Sequence, residues 1–173
     1  MANSNVYTLG LSKIEIGAVG TDGGMGTVLA QLGYTYQDTC TMTMDDPETT
    51  DFIAEEVDDP VVSISRAGKI NFNFSIMNAD VNVLQKLLGG TITGDPSEGE
   101  PEVWNAPASI PAIEQSIKIT PNQGLQFSIP RAKVTAKING SFSKTNIFLI
   151  EVACTVLIPT KAGESKLKAT KVV

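Results

Sequence analysis

Residues 70–76, "INFNFSI", decide the fold class of this chain of 173 residues. Large apolar side chains occupy the even-numbered positions of the stretch, and Asn, Asn and Ser occupy the odd-numbered ones. A strict period of two over this length is typical of a β-strand that buries one face and exposes the other. The stretch therefore predicts a sheet with one face on a hydrophobic core.

The residues before this strand predict its partner. Residues 61–65, "VVSIS", combine branched apolar side chains with serines, which favours a second strand. Between the two stretches lies "RAGK", residues 66–69, in which Gly68 can adopt a positive φ. We therefore expect residues 61–65 and 70–76 to form a β-hairpin.

Similar patterns predict further strands on both sides of this hairpin. The expected strands lie within residues 7–17, 34–44, 115–120, 124–130, 131–138 and 147–159. The last of these, "IFLIEVACTVLIP", has Glu151 as its single interior charge. We therefore expect residues 147–159 to form a central strand that is buried on both faces.

After residue 78 the apolar pattern changes to a helical period. Asn78 or Asp80 can cap the N-terminus of a helix, and Gly89 and Gly90 can end it. The apolar stripe of this helix is formed by Val81, Leu84, Leu87 and Leu88. A helix this short is stable only when it docks on a sheet.

Together these elements predict a mainly β fold: a β-sandwich or barrel of about eight strands with one short flanking α-helix. We expect residues 1–160 to form this single domain, with long loops at 45–60 and 91–112. The lysine-rich residues 161–173 are expected to form a solvated tail. Trp104 lies in the second loop, where sealing the edge of the core is favoured over a binding contact.

The composition argues against several functional classes. The chain has no histidine, which removes the commonest general base and metal ligand, so we expect no enzyme activity. Cys40 and Cys154 lie among alternating apolar residues, which favours buried free thiols over a disulfide. No apolar run reaches the ~20 residues of a membrane-spanning helix. The N-terminus lacks the pattern of a signal peptide, so export is not expected.

The charge is negative overall and unevenly divided. The net charge of −6 argues against a protein that grips nucleic acid. Residues 1–104 carry 16 acids and 4 bases, whereas residues 105–173 carry 3 acids and 9 bases. Either these charges interleave in one fold, or the molecule has two unlike faces that suit head-to-tail association.

The acidic residues 45–59 do not match a known metal-binding loop. They lack the central glycine and terminal glutamate of a calcium loop, so a binding loop, a less regular metal site and a tether all remain open. The glycine-rich residues 18–26 lack the Gly-Lys-Ser/Thr ending of a phosphate-binding loop, which argues against nucleotide binding. No cofactor is expected.

The order of the predicted segments along the chain resembles that of the tail tube (major tail) proteins of long-tailed bacteriophages. The acidic segment "DFIAEEVDDPVVSI" (51–64) leads into the predicted hairpin, and the helix "DVNVLQKLLGG" (80–90) follows at once. The strands "AKVTAKI" (132–138) and "IFLIEVACTVLI" (147–158) close the sheet. The same family includes the tube proteins of contractile tails and of type VI secretion. The resemblance covers residues 5–160 and is one of architecture.

The resemblance implies a subunit that assembles with itself into stacked rings, six subunits to a ring. The rings form the conduit for DNA ejection, through which DNA passes without specific binding. The implied location is the virion tail, after assembly in the cytoplasm of the bacterial host. Other tail proteins, such as the tape measure, terminator and tail tip, are implied partners, and a membrane is not.

In this family the loop that corresponds to residues 45–59 contacts neighbouring subunits. The resemblance therefore implies a subunit-interface loop that contains Phe52, Ile53, Glu55, Glu56, Val57, Asp58 and Asp59. Its apolar members would be anchors in a pocket of the neighbour. Its acids would face basic groups of that neighbour or point into the bore.

Two other classes remain as alternatives. A ligand- or carbohydrate-binding β-sandwich module of a phage or surface structure would need exposed aromatic side chains. The chain has only ten aromatic residues, and most occupy positions predicted to face the core. An enzyme that uses carboxylates is the least favoured class, because no motif supports it.

Overall fold

A computed structural model describes residues 6–109 and 111–172. The fold is mainly β with one short α-helix, which confirms the predicted fold class. The strands are β1 (Lys13–Ala18), β2 (Ala30–Gln31), β3 (Thr41–Met44), β4 (Glu48–Ile53), β5 (Pro60–Arg66), β6 (Ile70–Ile76), β7 (Thr91–Thr93), β8 (Val103–Asn105), β9 (Ile113–Thr120), β10 (Gly124–Asn139), β11 (Leu149–Val156) and β12 (Lys168–Val172), and the helix is α1 (Val81–Leu88).

Eight of these strands form one antiparallel sheet around the core. The order is β2-β1-β9-β10-β11-β6-β3, and β12 also pairs with β10. Ile14 of β1 and Phe72 of β6 belong to the same buried cluster, so the sheet curls until its two ends face each other. The long strand β10 allows this curl, because its pairing with β9 shifts between Ile129 and Ala132, and such a bulge bends a strand.

The predicted strand at residues 70–76 is confirmed. Ile70, Phe72, Phe74 and Ile76 are each at most 4% exposed, and they supply a large part of the core. The two phenylalanine rings pack against each other with centroids 5.1 Å apart. The alternation in the sequence therefore identified the face of β6 that is buried.

Helix α1 is also confirmed. Asp80 caps it by accepting a hydrogen bond from the Val83 N–H over 2.8 Å, and Gly89 ends it with a φ of 75°. Its buried side chains are Val83 and Leu87. The predicted stripe placed Val81 in this role, but the helix turns Val83 toward the sheet instead.

The predicted hairpin between residues 61–65 and 70–76 is wrong. β5 pairs with β4, whereas β6 pairs with β3 and β11. Met44 lies opposite Ile70, and four residues further along both strands Glu48 lies opposite Arg66, so the register is unbroken. β3–β4 and β5–β6 therefore form a single two-stranded ribbon, hereafter "the ribbon". Pro47 has no N–H to donate, so the ladder is interrupted there.

Three other predicted elements differ from the structure. Within residues 34–44 only Thr41–Met44 is a strand, because a turn with Asp38 at a φ of 60° interrupts it. The expected strands 124–130 and 131–138 are one strand, β10. β11 lies between β10 and β6 as a central strand should, but Ala153 on its outer side is exposed, so only one face is buried.

The two segments predicted as loops, 45–60 and 91–112, and the predicted tail all contain strands, and β4 lies within the first of them. In the 91–112 loop, β7 and β8 pair with each other, and Trp104 is half-buried with its Nε1–H donating to the Gly89 carbonyl over 2.8 Å. Trp104 thus anchors this loop to the end of α1. In the predicted tail, β12 pairs with the first part of β10, so residues 168–172 belong to the sheet.

The glycine-rich loop before β2 packs on the outer side of β1 and β9. Ser116 is fully buried there, and its Oγ accepts from the Gly26 N–H over 2.8 Å and donates to the Pro130 carbonyl over 2.6 Å. A Cβ on Gly26 would lie 2.1 Å from the Ala18 carbonyl oxygen, so only glycine fits this approach. Gly26 therefore serves the packing of this loop against β1 and β9.

Replacement of Ser116 by alanine is expected to lower the free energy of unfolding by about 1–3 kcal/mol, because it leaves a buried N–H and a buried carbonyl without their partner. Urea denaturation measures this change. The control is Ser63→Ala at an exposed position, which is expected to change stability by less than ~0.5 kcal/mol. An unaltered urea midpoint for Ser116→Ala would contradict this role.

Candidate functional site

The part of the ribbon that extends beyond the sheet is the candidate site. This part, hereafter "the arm", comprises residues 48–66: β4, β5 and the loop between them. Every residue of β4 and β5 is exposed, and within the described residues these strands pair only with each other. An isolated two-stranded hairpin is only marginally stable in water. The arm therefore extends from the sheet without a further partner strand on either side, within the described residues.

The arm has one apolar face. Phe52 lies opposite Val62, and Thr50 lies opposite Ile64. Because side chains alternate along a strand and directly opposite residues share a face, these four residues lie together. Phe52, Val62 and Ile64 are 54%, 50% and 50% exposed. We call the surface formed by Thr50, Phe52, Val62 and Ile64 the apolar face.

The opposite side of the arm is polar from its root as far as Asp51 and Ser63. Thr49 lies opposite Ser65, and Asp51 lies opposite Ser63. The hydroxyl groups of Thr49 and Ser65 share a hydrogen bond of 3.2 Å. We call these four residues the polar face. The arm is thus amphipathic at these positions: one side carries Phe52, Val62 and Ile64, and the other carries hydroxyl groups and a carboxylate.

The apolar face continues the core side of the sheet. Because the register of the ribbon is unbroken, Phe52 lies on the same side of the ribbon as Met42 and Met44 of β3. In the body this side packs on the core, where Phe72 and Ile70 are buried. At the base of the arm the core no longer covers this side of the ribbon, and Met44 is 65% exposed. The apolar face is therefore a second apolar patch on this side of the ribbon, and the exposed residues Glu48 and Arg66 lie between it and Met44.

The structure places the predicted interface residues in three different positions. Phe52 joins Val62 and Ile64 on the apolar face. Ile53 follows it on the same strand and points to the opposite side, beside a bulge in the pairing with β5. The remaining predicted residues, Glu55, Glu56, Val57, Asp58 and Asp59, are exposed at the tip. Phe52 and Ile53 are therefore not one cluster.

Sequence reasoning missed Val62, Ile64 and Met44 as site residues. The signal for Val62 and Ile64 was present in "VVSIS", but those residues were assigned to a core hairpin. Their exposure follows from their pairing with β4, which lies outside the sheet.

The root of the arm is tightly packed. A Cβ on Gly68 would lie 1.7 Å from the carbonyl oxygen of Asp45, so no other residue fits at this position. The Asp45 N–H donates to the Lys69 carbonyl over 2.8 Å. The Asn71 amide also donates to the Asp45 carboxylate over 3.2 Å. These contacts fix the point at which the arm leaves the eight-stranded sheet.

The outer side of β3, β6, β11 and β10 is a second exposed surface. Its central residues carry hydroxyl, amide or methyl groups: Thr41, Thr43, Asn71, Asn73, Thr135, Ala153 and Thr155. We call this surface the outer polar face. At its border Lys137 forms a 2.7 Å ion pair with Glu151. Lys137 and then the amide of Asn139 lower the pKa of the Glu151 carboxyl.

The two cysteines are free, as predicted, but they differ in exposure. Cys154 is 1% exposed, and burial raises the pKa of its thiol to about 12. Cys40 is half-buried, and burial raises the pKa of its thiol as well. Only Cys40 is within reach of reagents in water.

We expect the native protein to react with a thiol-specific disulfide reagent at Cys40 only, because reaction requires an accessible thiolate. Absorbance of the released product should report one thiol per chain in buffer and two in denaturant. The Cys40→Ser variant should show none until it unfolds. Two thiols released at equal rates from native protein would contradict the burial of Cys154.

The described part of the chain presents two extended exposed surfaces, the arm and the outer polar face. Within residues 6–109 and 111–172, no three carboxylate or thiol groups are grouped as metal ligands would be. No helix in the described part of the chain is long and apolar enough to cross a membrane. A comparison with models of protein families finds no matching family, and a comparison with curated proteins finds no match.

Proposed function

We propose that the chain is a structural subunit of a phage tail tube, which assembles with itself into stacked rings that form a conduit for DNA ejection. One observation carries the proposal: the arm extends the core side of a sheet beyond the body and leaves it uncovered. Apolar surface of this kind in water is unfavourable, and grouped exposure marks an interaction site. A second copy of the chain supplies the missing layer.

The uneven charge supports self-association. Eight of the nineteen acids lie in residues 45–59, in and beside the arm, and no base lies among them. The bases are concentrated in residues 105–173. Arg131 forms an ion pair with Glu114 and Lys137 with Glu151, so these two bases are matched by acids of the same part of the chain rather than by those of the arm. Unlike surfaces on one molecule favour head-to-tail contacts, which generate open tubes.

The outer polar face supports a role as the lining of the conduit. Most of its groups are uncharged hydroxyls and amides, which hydrate well and do not hold a phosphate, and two bases of β10, Lys133 and Lys137, lie on the same side. The net charge of −6 per chain also repels DNA. A bore lined in this way lets DNA pass without specific binding. In this role the protein needs no cofactor and performs no catalysis, and its place is the virion tail.

A ligand- or carbohydrate-binding module is the second candidate, and one observation favours it. The aromatic side chains are less buried than the sequence indicated: Tyr7, Tyr34, Tyr36, Phe52 and Phe142 are all exposed. Tyr34 and Tyr36 are near neighbours and could stack on a sugar ring. A glycan-binding screen that retains the protein, with loss of binding in Tyr34→Ala, would support this candidate.

The experiment that tests the proposal is light scattering after size exclusion, with negative-stain images of the same fractions. We expect rings or tubes with a central hole, and masses that are multiples of 18.3 kDa. A single species of monomer mass at every concentration, with no rings or tubes on the grids, would overturn the proposal.

A further inference from the structure

Asn139 and Gly140, at the end of β10, form the only Asn-Gly pair in the sequence. Of the ten asparagines, only Asn139 precedes a glycine. Asparagine is a labile residue, because the backbone nitrogen that follows it can attack its side-chain amide. Glycine has no Cβ, so its nitrogen approaches that amide with the least hindrance. This pair is therefore the place in the chain at which the sequence hinders such a reaction least.

The backbone at this pair is open to water and has left the sheet on one side. Strand β10 ends at Asn139, and residues 140–148 form no helix or strand. Both residues of the pair are exposed. Within the described residues, the Gly140 N–H donates no backbone hydrogen bond. The Gly140 nitrogen is thus available as a nucleophile once its proton passes to water.

A charged cluster holds the amide of Asn139. Lys137 and Asn139 lie two residues apart on β10 and therefore project to the same side, and Glu151 of β11 lies opposite Lys137. One carboxylate oxygen of Glu151 accepts a hydrogen bond from the Asn139 Nδ2, and the other pairs with the Lys137 ammonium over 2.7 Å. The amide nitrogen that would leave is therefore linked through a carboxylate to an ammonium group.

This cluster supplies the proton that the departure of ammonia requires. The amide nitrogen leaves only after it gains a third hydrogen, and a positioned acid accelerates such a proton transfer. Glu151 is placed to pass a proton from the Lys137 ammonium to the Asn139 Nδ2, after which Lys137 regains a proton from water. Groups held at hydrogen-bond distance react much faster than the same groups free in solution.

We propose that Asn139 is a site of self-modification, at which Gly140 displaces ammonia from the side-chain amide and water then completes the conversion to an acid. In the first step the Gly140 nitrogen bonds to the Asn139 Cγ, the proton of that nitrogen goes to water, and the bond between Cγ and Nδ2 breaks. In the second step water adds to one of the two carbonyl groups of the resulting five-membered ring and opens it. The products are ammonia and an aspartate or isoaspartate at position 139.

The modification changes the border of the outer polar face. A carboxylate at position 139 cannot donate a hydrogen bond to Glu151, so two acids then share Lys137. Each converted chain carries one further negative charge at this border. The inference goes beyond the proposed function and holds whether or not the chain assembles.

The test is peptide mapping by mass spectrometry of native protein kept in warm neutral buffer. Trypsin releases residues 138–144 as one peptide, and we expect this peptide to gain about 1 Da with time. The same peptide of Asn139→Gln should stay unchanged, because the longer side chain closes a ring less readily. Glu151→Gln, which keeps the shape of the side chain but cannot pass the proton, is expected to slow the native conversion about tenfold or more.

Unfolding in guanidinium chloride provides the matched control for Glu151→Gln. An exposed ion pair contributes little to stability, so this variant stays folded in buffer. The unfolded wild-type and variant chains should convert at the same rate, since Glu151 is then no longer held beside the amide. Equal rates in the two native proteins, or no gain of mass at position 139, would overturn the inference. A loss of about 17 Da in an uncut peptide of residues 134–144 would also overturn it, because Lys137 would then be the nucleophile.

Discussion

Replacement of Phe52 and Ile64 by alanine is expected to abolish assembly while the subunit stays folded. The two side chains lie diagonally across the apolar face, and each is at least half exposed. Loss of two interface anchors at about 2 kcal/mol each weakens association by roughly a thousandfold. Light scattering should show monomers at concentrations at which the wild type forms rings or tubes, with a melting temperature close to that of the wild type.

The matched control is Thr49→Ala with Ser63→Ala, which removes two side chains from the polar face at the same level of the arm. This variant is expected to assemble as the wild type does. If the apolar variant also assembles at wild-type concentrations, or if both variants fail alike, the assignment of the docking face is wrong.

Gly68→Ala is expected to have the second-largest effect, because it acts at the root of the arm. The new Cβ would meet backbone atoms of Asp45 at 1.7 and 2.5 Å, and no side-chain rotation relieves such a clash. The strands must separate there, at a cost of about 1–3 kcal/mol, and the arm loses its fixed direction. We expect loss of assembly, and hydrogen exchange should show faster exchange of amides in residues 48–66 than in β11.

The neighbouring substitution Ala67→Val serves as the control for Gly68→Ala. Ala67 is exposed, so added methyl groups have room there. This variant should keep the exchange rates of the wild-type arm. Normal assembly of Gly68→Ala would mean that the root can relax without turning the arm.

The elements that the sequence predicts well are those whose pattern is local. In β6 every even residue faces the core, so seven residues suffice to define the strand and its buried side. Helix α1 can be predicted from the capping residue Asp80 at its start and from Gly89 at its end. In both cases the residues that determine the element lie within it or directly beside it.

The pairing of β5 could not be predicted in the same way. "RAGK" has the residues of a turn, but Gly68 serves a close contact with Asp45 in the middle of a ribbon. Whether a glycine reverses a chain or lets another strand approach depends on residues more than twenty positions away. Local propensity carries no information about that partner.

The candidate site was accordingly predicted in part. An acidic segment with exposed Phe52 and Ile53 was visible in the sequence, and both side chains are exposed in the structure. That Phe52 joins Val62 and Ile64, and that Ile53 points away, depends on cross-strand register. Register is set by the whole ribbon, and one misplaced turn changes every neighbour.

The unbroken register of the ribbon also restricts how the length of the arm can change. A deletion in β4 alone would slide Phe52 past Val62 and break up the apolar face. Removing one residue from each strand would keep the pairing but turn that face to the other side of the subunit, since side chains alternate. Only matched steps of two residues per strand preserve both pairing and direction. Insertions and deletions in residues 48–52 and 62–66 that still permit assembly should therefore occur in fours.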